Sequence, residues 1–306
     1  MVLFVVLPFG AAAVETKGRV VLDLSGPGWK LWQDKDAKWE DDELFLPPVN
    51  VAKLPVNVPT GGWDALKSGA LDVSVPGTVE EYLHPGNGPA GGIKGVSWWV
   101  RHVTIPTATS PRRLLLHFDA VRLRAEVFVN RKLVGYDVVG NSPFDVDITD
   151  VTKPGEECEL AVRVTNPGGN FDWRDSAPFT WGKYTIPMSH GFGGITGRVR
   201  LGSCNPVYVD DIYMQNTPAV TEVNAIVTLR NATKTRSRHN IALAILERRL
   251  LRDSHARSPV FQTQLKSVEL ASGDNTATCK VSVANAKRWD LDNPNACAVS
   301  VRRVLR

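Results

Sequence analysis

The sequence predicts an all-β protein of two domains, and three observations carry that expectation. From Arg19 onward the chain reads as short alternating or apolar runs punctuated by Gly, Pro, Asn and Asp, with 25 Gly and 20 Pro among 306 residues. Amphipathic helical periodicity is scarce. The length favours two hydrophobic cores, each large enough to fold without metal or disulfide staples.

The N-terminus, MVLFVVLPFGAAAVETKG, is an apolar run followed by the small residues Ala11, Ala12 and Ala13, as an export signal requires. Residues 1–18 are therefore read as a signal segment, incomplete because no Lys or Arg precedes the apolar run. A secreted or periplasmic location is expected. The run is too short to span a bilayer and no later stretch reaches the necessary length, so no membrane role is expected.

Residues 19–205 make the first domain. Strands are expected at 20–24, 97–105, 113–118, 125–129, 132–138, 144–148, 159–165 and 196–201. In Ala125-Glu126-Val127-Phe128-Val129 the alternation puts Glu126 and Phe128 on one face and Val127 on the other. Asn130-Arg131 reads as a two-residue hairpin turn, because Asn tolerates positive φ. Residues 34–69 break the rhythm with several Pro and Gly residues, the acidic run Glu40-Asp41-Asp42-Glu43, and Trp39 and Trp63. They read as a surface excursion with its aromatic side chains packed beneath it; lining a site is the alternative use.

Asn170–Gly194, NFDWRDSAPFTWGKYTIPMSHGFGG, reads as neither helix nor strand. Connections longer than about 12 to 15 residues are usually binding loops, lids or disorder. Phe171, Trp173, Phe179, Trp181, Tyr184 and Phe192 supply apolar area that disordered segments lack, so an ordered aromatic surface is expected. His190 has no nucleophile motif around it and suggests a turn contact more than a proton shuttle.

Ser203-Cys204-Asn205-Pro206 punctuates the chain, and residues 206–306 make the second domain. Runs at 207–215, 223–229, 241–247, 261–266, 277–283 and 298–304 have the spacing of a small sandwich of immunoglobulin-like size. This part carries 15 Lys+Arg against 9 Asp+Glu. The basic residues lack the aromatic interleaving or fold motif of a nucleic-acid binder, so they read as a solvated face. Cys158, Cys204, Cys279 and Cys297 show no CxxC spacing, which argues against zinc. Free thiols are the simpler reading and a Cys279–Cys297 bridge the alternative. No metal or cofactor is expected.

The landmarks Val75-Pro76-Gly77, Trp98-Trp99-Val100-Arg101, Leu116-His117-Phe118-Asp119-Ala120-Val121, Ala125–Asn130, Ser142–Thr149, Leu160–Val164, Gly194–Leu201 and the late Trp289 to Pro294 follow one another in order. Together the series resembles the N-terminal half of glycoside hydrolase family two, the group of β-galactosidases, β-glucuronidases and β-mannosidases. The resemblance implies a jelly-roll sugar-binding domain with a galactose-binding-like fold, then an immunoglobulin-like sandwich. In that family a (β/α)8 barrel carries catalysis, and this chain stops where the barrel would begin. One departure lies near the end, where Asn295-Ala296-Cys297 replaces the Leu-Tyr pair that family members commonly show after Asn-Pro.

Retaining glycosidases need two carboxyl groups about 5 to 5.5 Å apart. The family places both Glu on the barrel, one after an Asn, and no Asn-Glu dipeptide occurs here. No catalytic residue is expected in the chain. The resemblance also implies that the 170–194 loop reaches toward the barrel and offers an Asp to substrate, which makes Asp172 and Asp175 candidates. A carboxylate accepts hydrogen bonds from two neighbouring sugar hydroxyls, and Trp173 or Trp181 can face the C–H edges of a pyranose. The competing reading has the carboxylates capping turns or pairing with Arg174 and Lys183, and the tryptophans packing. The expected partners are carbohydrate and a catalytic barrel. A free-standing carbohydrate-binding protein and a purely structural sandwich pair are the alternatives.

Overall fold

The computed structural model describes residues 14–16, 19–46, 48–83, 93–107, 112–168, 179–186, 191–248, 261–282, 286, 292 and 296–304. Two compact units divide between Cys204 and Asn205. Both are β-sandwiches, the first of the jelly-roll kind and the second of the immunoglobulin-like kind.

The first unit runs through β1 (Val14–Thr16), β2 (Arg19–Asp23), β3 (Gly26–Asp34), β4 (Leu71–Val75), β5 (Gly77–Thr78), β6 (Gly95–Thr104), β7 (Arg113–Phe118) and β8 (Arg124–Val129). It continues with β9 (Lys132–Asp137), β10 (Phe144–Asp147), β11 (Glu157–Asn166), β12 (Phe179–Trp181), β13 (Tyr184–Ile186), β14 (Gly194–Ile195) and β15 (Val199–Cys204). A five-stranded sheet in the order β1-β2-β15-β7-β10 faces a six-stranded sheet in the order β4-β3-β6-β11-β8-β9. All pairings are antiparallel.

Strand alternation sorts the side chains of the six-stranded sheet. Trp99 from β6, Val127 and Val129 from β8, and Leu160, Val162 and Val164 from β11 point inward, where they meet Leu114, Leu116 and Phe118 of β7 and Val199 and Leu201 of β15. The next residues along point outward: Trp98, Phe128 and Ala161 form a second apolar cluster with Val96, Val100 and Leu66. Trp98 and Trp99 are both fully buried, although they lie on opposite faces.

The outward cluster stays dry because residues 35–46 and 48–70 fold over it. Trp39 and Trp63 of this excursion pack against the cluster, and Trp63 meets Trp98 and Phe128 edge-on at centroid distances of 5.5 and 5.2 Å. Packing is thus the use of both tryptophans. Asp34 ties the excursion to the sheet, accepting from the Thr60 amide at 2.9 Å and from Trp98 Nε1 at 3.3 Å.

Four features depart from the expectations. The run Gly26–Asp34 is a full strand, and a short helix spans Val79–Leu83. The stretch read as irregular contains the hairpin β12-β13. Val14–Thr16 pairs with β2, so the sheet begins within the stretch assigned to the signal; residues 1–13 lie outside the described residues.

The second unit comprises β16 (Val207–Asn216), β17 (Glu222–Asn231), β18 (Ser237–Arg248), β19 (Phe261–Leu270), β20 (Gly273–Ser282) and β21 (Ala296–Val304). These make two three-stranded sheets, β16-β17-β20 and β19-β18-β21. Val207, Val227 and Leu229 from one sheet pack with Ile241 and Leu270 from the other. Cys279 is a free thiol, so the Cys279–Cys297 bridge is not formed. Burial raises the Cys158 thiol to a pKa of about 11, which makes it unreactive at neutral pH.

Candidate functional site

The long connection between β11 and β14 is held at its root by buried polar groups. Asn166, the last residue of β11, donates from Nδ2 to the Gly191 carbonyl at 2.6 Å and to the Ile93 carbonyl at 3.0 Å. Its Oδ1 accepts from the Gly168 amide at 3.2 Å, so one side chain grips both ends of the connection. Glu80, 5% exposed, accepts from the Gly193 amide at 3.2 Å and from the Ile93 amide at 2.7 Å. The Val79 amide donates to the Gly193 carbonyl, and the backbones of Arg122 and Gly194 exchange two hydrogen bonds of 2.9 Å. Burial lowers the pKa of the Arg122 guanidinium, and the nearby Glu80 opposes that shift.

Glycine is required at this root. A Cβ on Gly193 would lie 2.6 Å from the Asn166 side chain, and one on Gly194, at φ +146, would lie 2.5 Å from the Gly77 carbonyl oxygen. The sequence therefore closes the connection with Gly-Gly because two backbones meet there.

Further along, the β12-β13 hairpin turns tightly through Gly182 at φ +52 and leans on the acidic run of the excursion. Trp181 meets Trp39 edge-on with centroids 5.4 Å apart. Tyr184 Oη donates to the Leu44 carbonyl at 3.1 Å, and Lys183 Nζ approaches Glu43 at 3.4 Å. Tyr184, and after it Glu43, raises the pKa of the Lys183 ammonium. Asp41, Asp42, Glu43, Gly182, Lys183 and Tyr184 line an open recess of about 300 Å³ at this junction.

Beneath the strap formed by residues 39–45 lies a charge network on the outer face of the six-stranded sheet. Glu126 of β8 and Arg163 of β11 are cross-strand partners. Arg163 Nη1 and Arg124 Nη1 donate to Glu126 Oε2 at 2.6 and 2.7 Å. The same two atoms reach Asp42 Oδ2 at 3.0 and 3.3 Å. Arg124, Glu126 and Arg163 are 2%, 1% and 3% exposed, whereas Asp42 keeps 16%. Asn57 Nδ2, also from the excursion, donates to Glu126 Oε1 at 2.9 Å. The Arg124 guanidinium lies 5.2 Å from the Tyr136 ring centroid, and Tyr136 Oη accepts from the Phe45 amide at 3.0 Å. Burial is the main cause of a raised Tyr136 pKa.

Of the four residues named from the sequence, Asp172, Trp173 and Asp175 lie outside the described residues, as does His190. Trp181 is described and is 1% exposed, so its ring is packed in the protein and presents no face to a pyranose. Its aromatic partner is Trp39, a residue far away in sequence. Asn166, Glu80, Asp42, Arg124, Glu126 and Arg163 were not named as site residues from the sequence. The available signal was a charge inside otherwise apolar strands, as at Glu126 in Ala125–Val129 and Arg163 in Leu160–Val164. No group of three or more His, Cys, Asp or Glu side chains able to hold a metal occurs among the described residues.

Comparison with known proteins gives this architecture a family. Residues 51–184 match the description "Glycosyl hydrolases family 2, sugar binding domain". A β-glucuronidase of Formosa agariphila is 30% identical over 116 residues, covering 38% of this chain and 12% of that protein. A β-galactosidase of Bacteroides ovatus is 25% identical over 238 residues, covering 77% of this chain and 26% of that protein. Among solved structures, a family 2 member from Bacteroides cellulosilyticus shares the fold with a TM-score of 0.63 at 20% identity, covering 93% of this chain and 34% of that one. The chain thus spans between an eighth and a third of the length of these proteins. By these matches, residues 51–184 correspond to the sugar-binding domain of glycoside hydrolase family 2, and the chain as a whole is similar to the N-terminal part of that family's members.

Proposed function

We propose that this chain is the non-catalytic, sugar-orienting portion of a family 2 β-glycosidase, completing an active site whose two catalytic carboxylates belong to a barrel. The observation that carries this reading is the anchored root. Asn166 grips both ends of the 167–191 connection, and the β12-β13 hairpin within it rests on the strap. Fixed attachment points at residues 168, 181–184 and 191 reduce the ordering cost of presenting side chains to a ligand, which is what a substrate-contacting loop needs. Asp172 and Asp175 would accept hydrogen bonds from sugar hydroxyls and Trp173 would offer a ring face, while Trp181 serves packing. A secreted or periplasmic location belongs to the same reading, on the strength of the apolar N-terminal run.

The chain alone is expected to leave chromogenic β-glucuronides, β-galactosides and β-mannosides intact. Turnover above background would contradict the non-catalytic assignment. Calorimetry with the corresponding methyl glycosides is expected to show weak binding, with Kd of the order of 1 mM or about −4 kcal/mol. Asp172→Ala or Trp173→Ala should abolish it, and unchanged heats would remove these residues from sugar contact.

A further inference from the structure

We infer that the buried Arg124–Glu126–Arg163–Asp42 network is a positioning device for the candidate site, setting where the β12-β13 hairpin sits without touching sugar. The inference rests on the sugar-contact reading of the connection that contains this hairpin.

Three observations lead there. The network lies beside the apolar cluster of Trp98, Phe128 and Ala161, with three of its charges at most 3% exposed. Buried ion pairs give little net stability compared with apolar side chains of similar volume, so stability alone does not account for it. What a charge network supplies is geometry: Arg124 Nη1 and Arg163 Nη1 each contact both Glu126 Oε2 and Asp42 Oδ2, so a carboxylate from the covering segment is held only where it reaches both atoms.

Here that carboxylate is Asp42, the one member contributed by the strap. The hairpin is attached to the strap on both sides of Asp42. Trp181 packs on Trp39 before it, and Lys183 and Tyr184 bind Glu43 and the Leu44 carbonyl after it. The strap's next residue, Phe45, is fixed by Tyr136, over which Arg124 lies. Position therefore passes from the sheet to Asp42, from Asp42 to the strap, and from the strap to the hairpin.

Hydrogen exchange of the full chain, read by mass spectrometry, tests this order. Arg163→Lys keeps the charge but shortens the reach to the shared carboxylates, and Asp42→Asn keeps the shape but loses the charge. Each is expected to speed exchange at least tenfold in residues 39–45 and 180–186 while β7 and β15 keep their protection. Uniform acceleration through both sheets, or an unchanged hairpin, would overturn the proposal. Tyr184→Phe, a variant outside the network, should loosen the hairpin and leave the strap protected; equal loosening of the strap would contradict the direction of control.

In calorimetry with methyl β-D-glucuronide, methyl β-D-galactoside and methyl β-D-mannoside, Arg163→Lys should weaken whatever binding the parent chain shows by about tenfold. Unaltered affinity would overturn the link to sugar. A parent chain that binds none of the three contradicts the functional reading instead, and the exchange pattern then decides the positioning order alone.

Discussion

The two faces of the six-stranded sheet are built from alternate residues of the same strands, yet they solve different problems. The inner face, with Trp99, Val127, Val129, Leu160, Val162 and Val164, is held by apolar contact with the five-stranded sheet. Such contact is non-directional and tolerates small shifts. The outer face carries Trp98 and Phe128 beside the charged groups of Arg124, Glu126 and Arg163, and the excursion that covers it brings Asp42 to them. The difference separates holding a fold together from holding one segment in one place.

The largest expected effect lies on the inner face. Trp99→Ala should cost about 3–5 kcal/mol by opening a cavity between the sheets, measured by urea unfolding. On the outer face, Glu126→Ala should cost about 3–4 kcal/mol, because two buried guanidinium groups lose the carboxylate they share.

Replacing the whole trio sharpens the contrast. Arg124→Leu, Glu126→Leu and Arg163→Met together should leave stability within about 1 kcal/mol of the parent while the strap loses its register. A large loss of stability in the triple variant would make the outer face a second structural core and erase the distinction.

The smallest effect concerns a carboxylate at the end of β9, Asp137, which pairs with Ala125 and shares its inward side. Burial raises its pKa above the ordinary 3.8, outweighing the hydrogen bonds from Val139, Gly140 and Val138. The folded state then holds a proton that the unfolded chain gives up, so stability falls as pH rises from about 3.8 toward the raised folded value. Asp137→Asn should flatten that decline, measured as unfolding midpoints at pH 4 and pH 7. An unchanged pH dependence would show that the backbone donors hold the carboxylate charged.

This contrast also explains what could be read in the sequence. Alternation alone places residues on opposite faces, and it foretold Glu126 and Phe128 on one side of β8 and Val127 on the other. The Asn130-Arg131 turn was equally legible, and both residues do have positive φ, 49° and 68°. The strand at Gly26–Asp34 was hidden by Gly26-Pro27-Gly28, which reads as turn chemistry and coincides with an irregularity in register between Gly26 and Trp29. The hairpin was hidden because its strands are three residues long and end beside prolines.

The site was less legible for a different reason. Period-two patterning says which way Trp181 and Glu126 point within their own strands, but not which distant residue covers them. Trp39 and Asp42 do so from an excursion whose sequence announces packed aromatic side chains but not which strands they cover. Glu80 and Asn166 act through backbone groups, and these leave no side-chain pattern to read.

The most direct test of the account is to map glycoside binding onto the chain by amide chemical shifts, titrating isotope-labelled protein with the three methyl β-glycosides. The account predicts shifts confined to residues 167–194, the strap at 39–45 and their immediate neighbours, lost in Asp172→Ala. Shifts centred on the β1-β2-β15-β7-β10 sheet or on the second sandwich, with 167–194 unmoved, would contradict it.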